Sequence, residues 1–391
     1  MADGSDASAA ATRPEMTDMA DIVQRFHADL ALPDAALVLF FCSPALDLDR
    51  VSTELVRHFG TTPLLGCTTA GEFGPAGYRD GTLVGLSLPA EHFHVASRSF
   101  GALADFGIAQ GRELVQSLLR DLERQRAGRG RAGGATPSFA LLLIDGLSGC
   151  EERVTRTLQA ALGGVPLVGG SAGDGLDFGR TGVWADGRFA SDRAVLALVC
   201  TDLPVQAFMT QHFVPTDRRA VVTAADPARR TVHEIDGLPA AQAYAHLIGV
   251  PVEALDAAVF AAAPMAVMIG GEPHIRSISQ ALPDGSLTFH CAVDEGIVLR
   301  TTQGVDLLGK LERTFERLQD RLGPLQAVIG CDCILRRLEI EQAGQADAVG
   351  ALMQRHRVVG FNTYGEQFRG VHVNQTFTGL AIGLPPGDRH A

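Results

Sequence analysis

One short segment occurs three times in this chain, and this repetition limits the possible folds more than any other feature of the sequence. Each copy has an apolar strand end, a glycine, small polar residues, and an acid that follows another glycine. The copies are LLGCTTAGE (Leu64–Glu72), LVGGSAGD (Leu167–Asp174) and VVGFNTYGE (Val358–Glu366). The first and third align without a gap, and the second is one residue shorter. Internal repetition of this kind predicts one supersecondary unit that is used several times.

The sequence around the three segments repeats as well. An apolar run precedes each segment, and these runs are VLFFCS from Val38, LLLIDG from Leu141 and VIGCDC from Val328. In the first two copies, the apolar residues between the run and the segment recur at the period of an α-helix. A further apolar run follows each segment: LVGLSL, VLALVC and FTGLAIG.

These patterns predict the fold class. We expect an α/β protein with two related α/β halves, mixed sheets and repeated strand–helix–strand–glycine-loop units. The halves are expected to join near Asp202–Gln211, and a chain of 391 residues is long enough for two domains.

The second segment raises the possibility of a serine hydrolase. Its GGSAG satisfies the G-x-S-x-G pattern of a nucleophile elbow around Ser171. The other copies carry Thr68 and Asn362 at the same place, and three such different residues do not form one kind of nucleophile. The elbow also requires a helix directly after the serine, whereas DGLDFGRTG predicts a loop. The segment glycines are expected instead to permit a tight reversal at each strand end, which makes the hydrolase the weakest functional hypothesis.

Composition excludes several classes of protein. A net charge of −12 does not suit nucleic-acid binding, which needs a basic face. The longest apolar run, Ala257–Gly271, is too short to span a bilayer and contains Pro264. Residues 1 to about 16 lack the pattern of a signal peptide and are expected to be disordered. The seven cysteines have no framework spacing, which predicts a reduced, cytoplasmic protein.

Longer strings around the three segments resemble FIST proteins. The strings are FFCSPALDLD, PLLGCTTAGEF, VPLVGGSAGDG and VVGFNTYGEQF. The resemblance implies a FIST N domain over residues 33–204 and a FIST C domain over residues 208–385. TQHFVPT, GCDCILRRLE and GFNTYGEQ also resemble the nitric-oxide-sensing subgroup of the family. That resemblance implies a bacterial, cytoplasmic, non-enzymatic signal-transduction sensor that binds haem and nitric oxide and regulates a partner histidine kinase.

Two histidines inside strings shared with the subgroup are candidate ligands of haem iron: His212 in TQHFVPT and His372 in GVHVNQT. Haem iron accepts a histidine as an axial ligand and leaves the opposite position open for a diatomic gas. In an extended strand, Val371 and Val373 face away from His372, so we expect His372 and Asn374 to face a cleft. For both histidines, a structural hydrogen-bonding role is the alternative.

His290, Cys331 and Cys333 are the next candidate ligands. The two cysteines are expected on one face of an extended segment, and burial at a strand end is their structural alternative. Arg336 and Arg337 follow closely and are candidate partners for haem propionates. The chain has no C-x-x-C-H sequence for covalent haem attachment.

The alternative ligand is a small metabolite such as an amino acid. Glu72, Asp174 and Glu366 end the three segments, and with nearby loop amides they would form its pocket at the strand ends. Because each copy carries its own acid, the three carboxylates also suit a structural role as caps.

Overall fold

The computed structural model describes residues 8–11, 18–30, 32, 34–128 and 137–384. These residues form helices and mixed sheets, which confirms the predicted α/β class. Of the residues expected to be disordered, 1 to about 16, residues 8–11 form a strand and the others lie outside the described residues. None of the helices in the described ranges combines the length and the apolar character that crossing a bilayer requires.

The first repeat unit and its flanking strands open the fold. In chain order, the elements are β1 (Ser8–Ala11), α1 (Met19–Leu30), β2 (Ala35–Cys42), α2 (Leu48–Phe59), β3 (Leu64–Thr68), β4 (Glu72–Gly74), β5 (Gly77–Arg79), β6 (Leu83–Pro89) and β7 (Phe93–Gly101). Helix α2 starts where the side chain of Asp47 accepts a hydrogen bond from a first-turn amide, and it ends at Gly60. Its apolar face is buried at helical spacing by Val51, Leu55 and Phe59.

The second unit repeats this order. Its elements are α3 (Ile108–Gly128), β8 (Phe139–Ile144), α4 (Glu151–Leu162), β9 (Leu167–Ser171), β10 (Val183–Ala185), β11 (Arg188–Ala190), β12 (Arg193–Thr201) and β13 (Val205–Thr210).

A separate segment, residues 213–304, follows β13 and is called the insertion below. Its elements are β14 (Phe213–Asp226), β15 (Thr231–Ile235), β16 (Leu238–Pro239), α5 (Ala240–Ile248), α6 (Ala257–Ala262), β17 (Met265–Ile269), β18 (Glu272–Arg276), β19 (Ile278–Ala281), β20 (Leu287–Phe289) and β21 (Val298–Gly304). Its strands form one sheet around a core of their own, against which α5 and α6 pack.

The third unit completes the fold. Its elements are α7 (Leu307–Leu322), β22 (Leu325–Cys333), α8 (Ile334–Gln342), α9 (Ala346–Arg355), β23 (Val358–Thr363), β24 (Glu366–Phe368), β25 (Val371–Val373) and β26 (Phe377–Gly383).

The three units exchange their hairpins in a cycle. The first sheet has the order β1-β6-β2-β3-β10-β11, the second β7-β12-β8-β9-β24-β25 and the third β13-β26-β22-β23-β4-β5. Each sheet takes its three central strands from one unit and its hairpin from another. The hairpin of the second unit, β10–β11, lies in the first sheet. The hairpin of the third unit, β24–β25, lies in the second sheet, and the hairpin of the first unit, β4–β5, lies in the third sheet. The two halves of the chain are interwoven by this exchange.

The glycines of the three segments occupy equivalent positions, as the repeat predicts. Gly66 pairs with Phe40, Gly169 with Leu142 and Gly360 with Gly330, each across a parallel strand pair. All three glycines lie inside strands, so the expectation that they form tight reversals at strand ends is wrong. They are needed because the neighbouring strand approaches closely. A Cβ at Gly169 would lie 1.9 Å from the carbonyl oxygen of Leu142, and a Cβ at Gly360 would lie 1.9 Å from that of Gly330.

The three sheets share one core. One face of each sheet contributes to it, as Phe41, Leu141 and Ile329 do. The ring of Phe41 stacks on that of Phe361 with 4.4 Å between ring centroids. Helices cover the opposite faces: α1 and α2 on the first sheet, α3 and α4 on the second, and α7, α8 and α9 on the third. Strands that are buried on both faces explain the continuous apolar runs in the sequence.

Candidate functional site

The three exchanged hairpins differ at one pair of positions. In each hairpin, the middle residues of the two strands are paired. The pairs are Phe73 with Tyr78, Trp184 with Phe189, and Gln367 with His372. The first two pairs pack into the apolar clusters beneath the helices, whereas the third pair is polar and buried. A polar pair where the other copies place aromatic rings marks the β24–β25 hairpin as the candidate site, because functional sites are where a chain departs from its own pattern.

His372 is buried, with 2% of its surface exposed. Its Nδ1 lies 3.3 Å from Nε2 of Gln367, and its Nε2 has no hydrogen-bond partner among the described residues. Burial lowers the pKa of His372 to about 4, and Arg230 and Arg276 lower it further, while Glu152 and the backbone of His290 oppose them. The imidazole is therefore neutral at neutral pH, which is the form that binds metals.

Gly365 makes room for this imidazole. A Cβ at Gly365 would lie 2.2 Å from Cε1 and 2.6 Å from Nε2 of His372. On the same strand, Val373 is fully buried, as strand alternation predicts. Val371 is half-buried and, together with His372, lines the cleft that is described below, which alternation does not predict. Asn374 is completely buried and does not line the cleft, so the expectation that it faces the cleft together with His372 is wrong.

Ser171 lies beside this hairpin and has no nucleophile geometry. Its side chain is fully buried at the end of β9, and its hydroxyl accepts a hydrogen bond of 2.8 Å from Nε2 of Gln367. A loop follows the serine, as predicted, where the nucleophile elbow requires a helix.

His372 borders a cleft of about 810 Å³ between the insertion and the repeat units. The units contribute the start of α4 and the β24–β25 hairpin, and the insertion contributes β17, β18 and residues 292–297. Apolar side chains form part of the wall: Val267, Ile269, Ile297 and Val371. The charged lining residues are Glu152, Arg153, Arg156, Arg276 and Asp294. Concave sites of this size with an apolar wall and a few charged groups are typical of small-molecule binding.

A buried ion pair joins the insertion to α4 at the edge of this cleft. Nη2 of Arg230 donates to Glu151 at 2.5 Å and to Glu152 at 2.9 Å, and Nη1 donates to the carbonyl of His290 at 3.1 Å. The other carboxylate oxygen of Glu152 accepts from the backbone amide of Ala292 at 2.7 Å. Burial raises the pKa of Glu151 to about 7, with Arg230 opposing. These contacts fix the position of the insertion relative to the second unit.

His212 lies elsewhere and has the contacts of a structural histidine. It is buried, and its Nε2 lies 2.8 Å from a carboxylate oxygen of Glu339. Arg336 approaches its Nδ1 at 3.4 Å, and its ring packs on Phe213. Both ring nitrogens are engaged, and His212 does not line the cleft.

Glu72 and Glu366 are equivalent residues with a structural arrangement. Thr69 donates to one carboxylate oxygen of Glu72, while the amide and hydroxyl of Thr82 donate to the other. Glu366 repeats these contacts with Thr363 and with the amide and hydroxyl of Thr376. Despite these hydrogen bonds, burial raises the pKa of Glu72 to about 7 and that of Glu366 to about 8. Each carboxyl group fastens the start of its hairpin to the strand that follows.

Asp174 does not share this arrangement, because its segment is one residue shorter and the hairpin of its unit starts only at Val183. The hydroxyl of Tyr364 donates to one oxygen of Asp174, and the amides of Gly179 and Arg180 donate to the other at 2.7 and 2.6 Å. Burial opposes ionisation, but these hydrogen bonds hold the pKa of Asp174 below its usual value.

In the second unit, Asp145 takes the structural place of the two glutamates. It accepts from the hydroxyl of Thr181 and from the amide of Asp192. The acids Glu72, Asp174 and Glu366 are thus engaged in separate places, and none of them lines the cleft.

The raised pKa of Glu366 predicts a pH dependence of stability. Its folded pKa of about 8 lies above the ordinary value of 4.5, so its contribution is fully present below pH 4.5 and is lost as the pH rises towards 8. Replacing Glu366 by Gln removes this dependence. Between pH 5 and 7, the free energy of unfolding of the parent should fall relative to that of the variant. The difference, variant minus parent, should increase by about 1.4 kcal/mol for each pH unit.

Urea denaturation across this pH range measures the difference. Glu316→Gln, on the exposed side of α7, is the control and should show no comparable gain. A constant difference between Glu366→Gln and the parent would contradict the assignment.

The cysteine and arginine candidates belong to the interior of the third unit. Cys331 and Cys333 are buried in β22, and burial raises the pKa of both thiols well above the usual range. Arg336 pairs with Asp332 at 2.7 Å, and Arg337 pairs with Asp80 and Glu341. Neither arginine lines the cleft, so neither meets a ligand there. Within the described ranges, no group of three or more histidine, cysteine or acidic side chains is arranged to hold a metal ion.

The structure adds residues that the sequence did not single out. Glu152 and Arg276 reach the cleft from α4 and from the insertion, two segments that no shared string connects. A sequence signal did exist for the hairpin itself. Alignment of the three hairpins would have shown that Gln367 and His372 replace aromatic pairs.

The family comparisons agree with the repeat and its strings. A model of the FIST N domain matches residues 36–238, and a model of the FIST C domain matches residues 240–369. The boundary between the two models falls inside the insertion, whereas the sequence strings placed it between residues 204 and 208. No curated protein matches the chain. With more than half of its length matched, the chain belongs to the FIST family of signal-transduction sensors.

Proposed function

We propose that this chain is a cytoplasmic sensor of nitric oxide that binds haem in the cleft through His372 and regulates a partner histidine kinase. The supporting observation is the neutral, buried imidazole of His372, whose Nε2 lacks a partner within the described residues, at the border of a cleft of about 810 Å³.

The residues around His372 are compatible with haem. Gln367 serves either tautomer of the imidazole: as placed, its nitrogen donates to Nδ1. In that orientation the proton of the neutral ring lies on Nε2. Turned over, the amide would present its oxygen to a protonated Nδ1 and leave Nε2 for iron, at the loss of the hydrogen bonds that its nitrogen donates to Ser171 and to the carbonyl of Gly365. The apolar wall suits a porphyrin face, and the arginines of the cleft suit its carboxylates. Bound haem iron would supply the position at which nitric oxide binds.

The position of the cleft offers a route from ligand to partner. A ligand there contacts the insertion on one side and α4 on the other, next to the ion pair of Arg230 with Glu151. A ligand that fits one arrangement of these parts better than another shifts the population towards it. We expect the kinase to respond to that arrangement.

Haemin titration of the full chain tests the proposal. A Soret band should develop and saturate, and it should shift when nitric oxide is added. Absence of a band with protein in excess of haemin would refute the haem assignment, and a band that ignores nitric oxide would refute the gas ligand.

A small metabolite such as an amino acid is the second candidate ligand. The charged lining of the cleft favours it, because Arg153 and Arg156 supply positive charge and Asp294 supplies negative charge, a combination that suits a zwitterion. This cleft replaces the pocket expected around Glu72, Asp174 and Glu366. Melting temperatures with haemin and with a metabolite panel separate the candidates, because a bound ligand stabilises the folded state.

A further inference from the structure

Arg276 ends β18 and carries a buried charge without a counter-ion. Only 8% of its surface is exposed, and its Nε has no hydrogen-bond partner among the described residues. Its Nη1 donates to the neighbouring carbonyl of Ile275 at 3.1 Å. Within the described ranges, no carboxylate forms an ion pair with it. Burying a guanidinium under these conditions is costly, and the cost is offset when an anion binds.

Neither of the two acids that line the cleft with Arg276 forms an ion pair with it. Arg276 lines the cleft together with Arg153 and Arg156, which lie on the α4 side. Glu152 also lines the cleft, but its two oxygens are engaged by Arg230 and by the amide of Ala292. Asp294 is exposed to solvent.

We propose that Arg276, with Arg156 on the α4 side, binds an oxyanion group of the cleft ligand, a carboxylate or a phosphate. A guanidinium matches both groups because its N–H donors form a planar fork. The inference deepens the proposed function, since the cleft is the same, and it specifies that the ligand is anionic at the end that reaches Arg276. A haem propionate and the carboxylate of a small metabolite both satisfy it.

Titration of the full chain with succinate and with inorganic phosphate at low ionic strength tests this site. Isothermal titration should detect at least one of the two anions, and the one that binds identifies the preferred group. Arg276→Gln should weaken that binding at least tenfold. Arg219→Gln, on the exposed face of β14, is the matched control and should bind as the parent does. Circular dichroism checks that both variants are folded.

Arg156→Gln keeps the inference testable if Arg276→Gln does not fold, because Arg156 is exposed and its replacement leaves the core intact. It should weaken binding about threefold or more. The inference is overturned if neither anion binds the parent, or if the cleft variants bind as the control does. The result is independent of the Soret titration. Anion binding without a Soret band would refute the haem proposal and support the anion site. A Soret band together with unaltered anion binding in Arg276→Gln would support haem binding and refute the anion site.

Discussion

Arg230→Met is expected to lower the free energy of unfolding by about 3–5 kcal/mol. The side chain of Arg230 is 19% exposed and that of its partner Glu151 is 1% exposed. Removing the guanidinium leaves Glu151 buried without its counter-charge and leaves Glu152 with a single donor. A buried charge that loses its partner costs far more than the net contribution of the intact pair.

Urea denaturation of the full chain measures this loss. Arg229→Met is the matched control, because Arg229 is 84% exposed and reaches Asp226 only at 3.9 Å. Its effect should stay within about 0.5 kcal/mol. Above about pH 8, adding Glu151→Gln to Arg230→Met should recover about 1 kcal/mol or more, since it removes a buried carboxyl group whose charged form has lost its counter-charge. Equal losses for Arg230→Met and Arg229→Met would contradict the role of this ion pair.

Gly169→Ala is the second replacement with a large expected effect, a loss of about 3 kcal/mol in the free energy of unfolding. The added methyl group would lie 1.9 Å from the carbonyl oxygen of Leu142 on the paired strand, and backbone cannot move aside as a side chain can. The strand pair β8–β9 would have to separate in the middle of the second sheet.

The same urea denaturation compares Gly169→Ala with replacements of two other glycines. Gly164→Ala is the control, because a Cβ there meets no atom within 4 Å. Gly66→Ala should lie between the two, since its obstacle is the ring of Phe40 at 2.5 Å, and a ring can turn. If Gly169→Ala were as stable as Gly164→Ala, close strand approach would not explain the repeated glycine.

The repeat was predictable from sequence because each unit needs its own apolar strands and helical face. The sheet that each hairpin joins was not predictable from sequence. Alternation places Phe73 and Tyr78 on one face of their hairpin, but it does not indicate which sheet that hairpin joins. The reason for the glycines was also hidden, because a close approach across strands involves Leu142 or Gly330, which are far away in the chain.

The candidate site was predictable only in part. His372 borders a cleft as strand alternation predicts, but Val371 lines the cleft as well and Asn374 does not, so alternation alone does not describe this strand. The place of Glu152 and Arg276 in the cleft was not predictable, because it depends on how the insertion packs against α4. The sequence suggested that Glu72 and Glu366 bind a ligand. Their structural role was hidden because the threonines that donate to them lie up to ten residues away in the chain.

The central claim is that His372, and not His212, binds the ligand of this sensor. The Soret spectra of His372→Ala and His212→Ala, each titrated with haemin beside the parent, test it most directly. We predict that the band is lost or shifted in His372→Ala and kept in His212→Ala, while circular dichroism shows both variants folded. A parental band in folded His372→Ala, together with loss of the band in His212→Ala, would contradict the account and place the ligand outside the cleft.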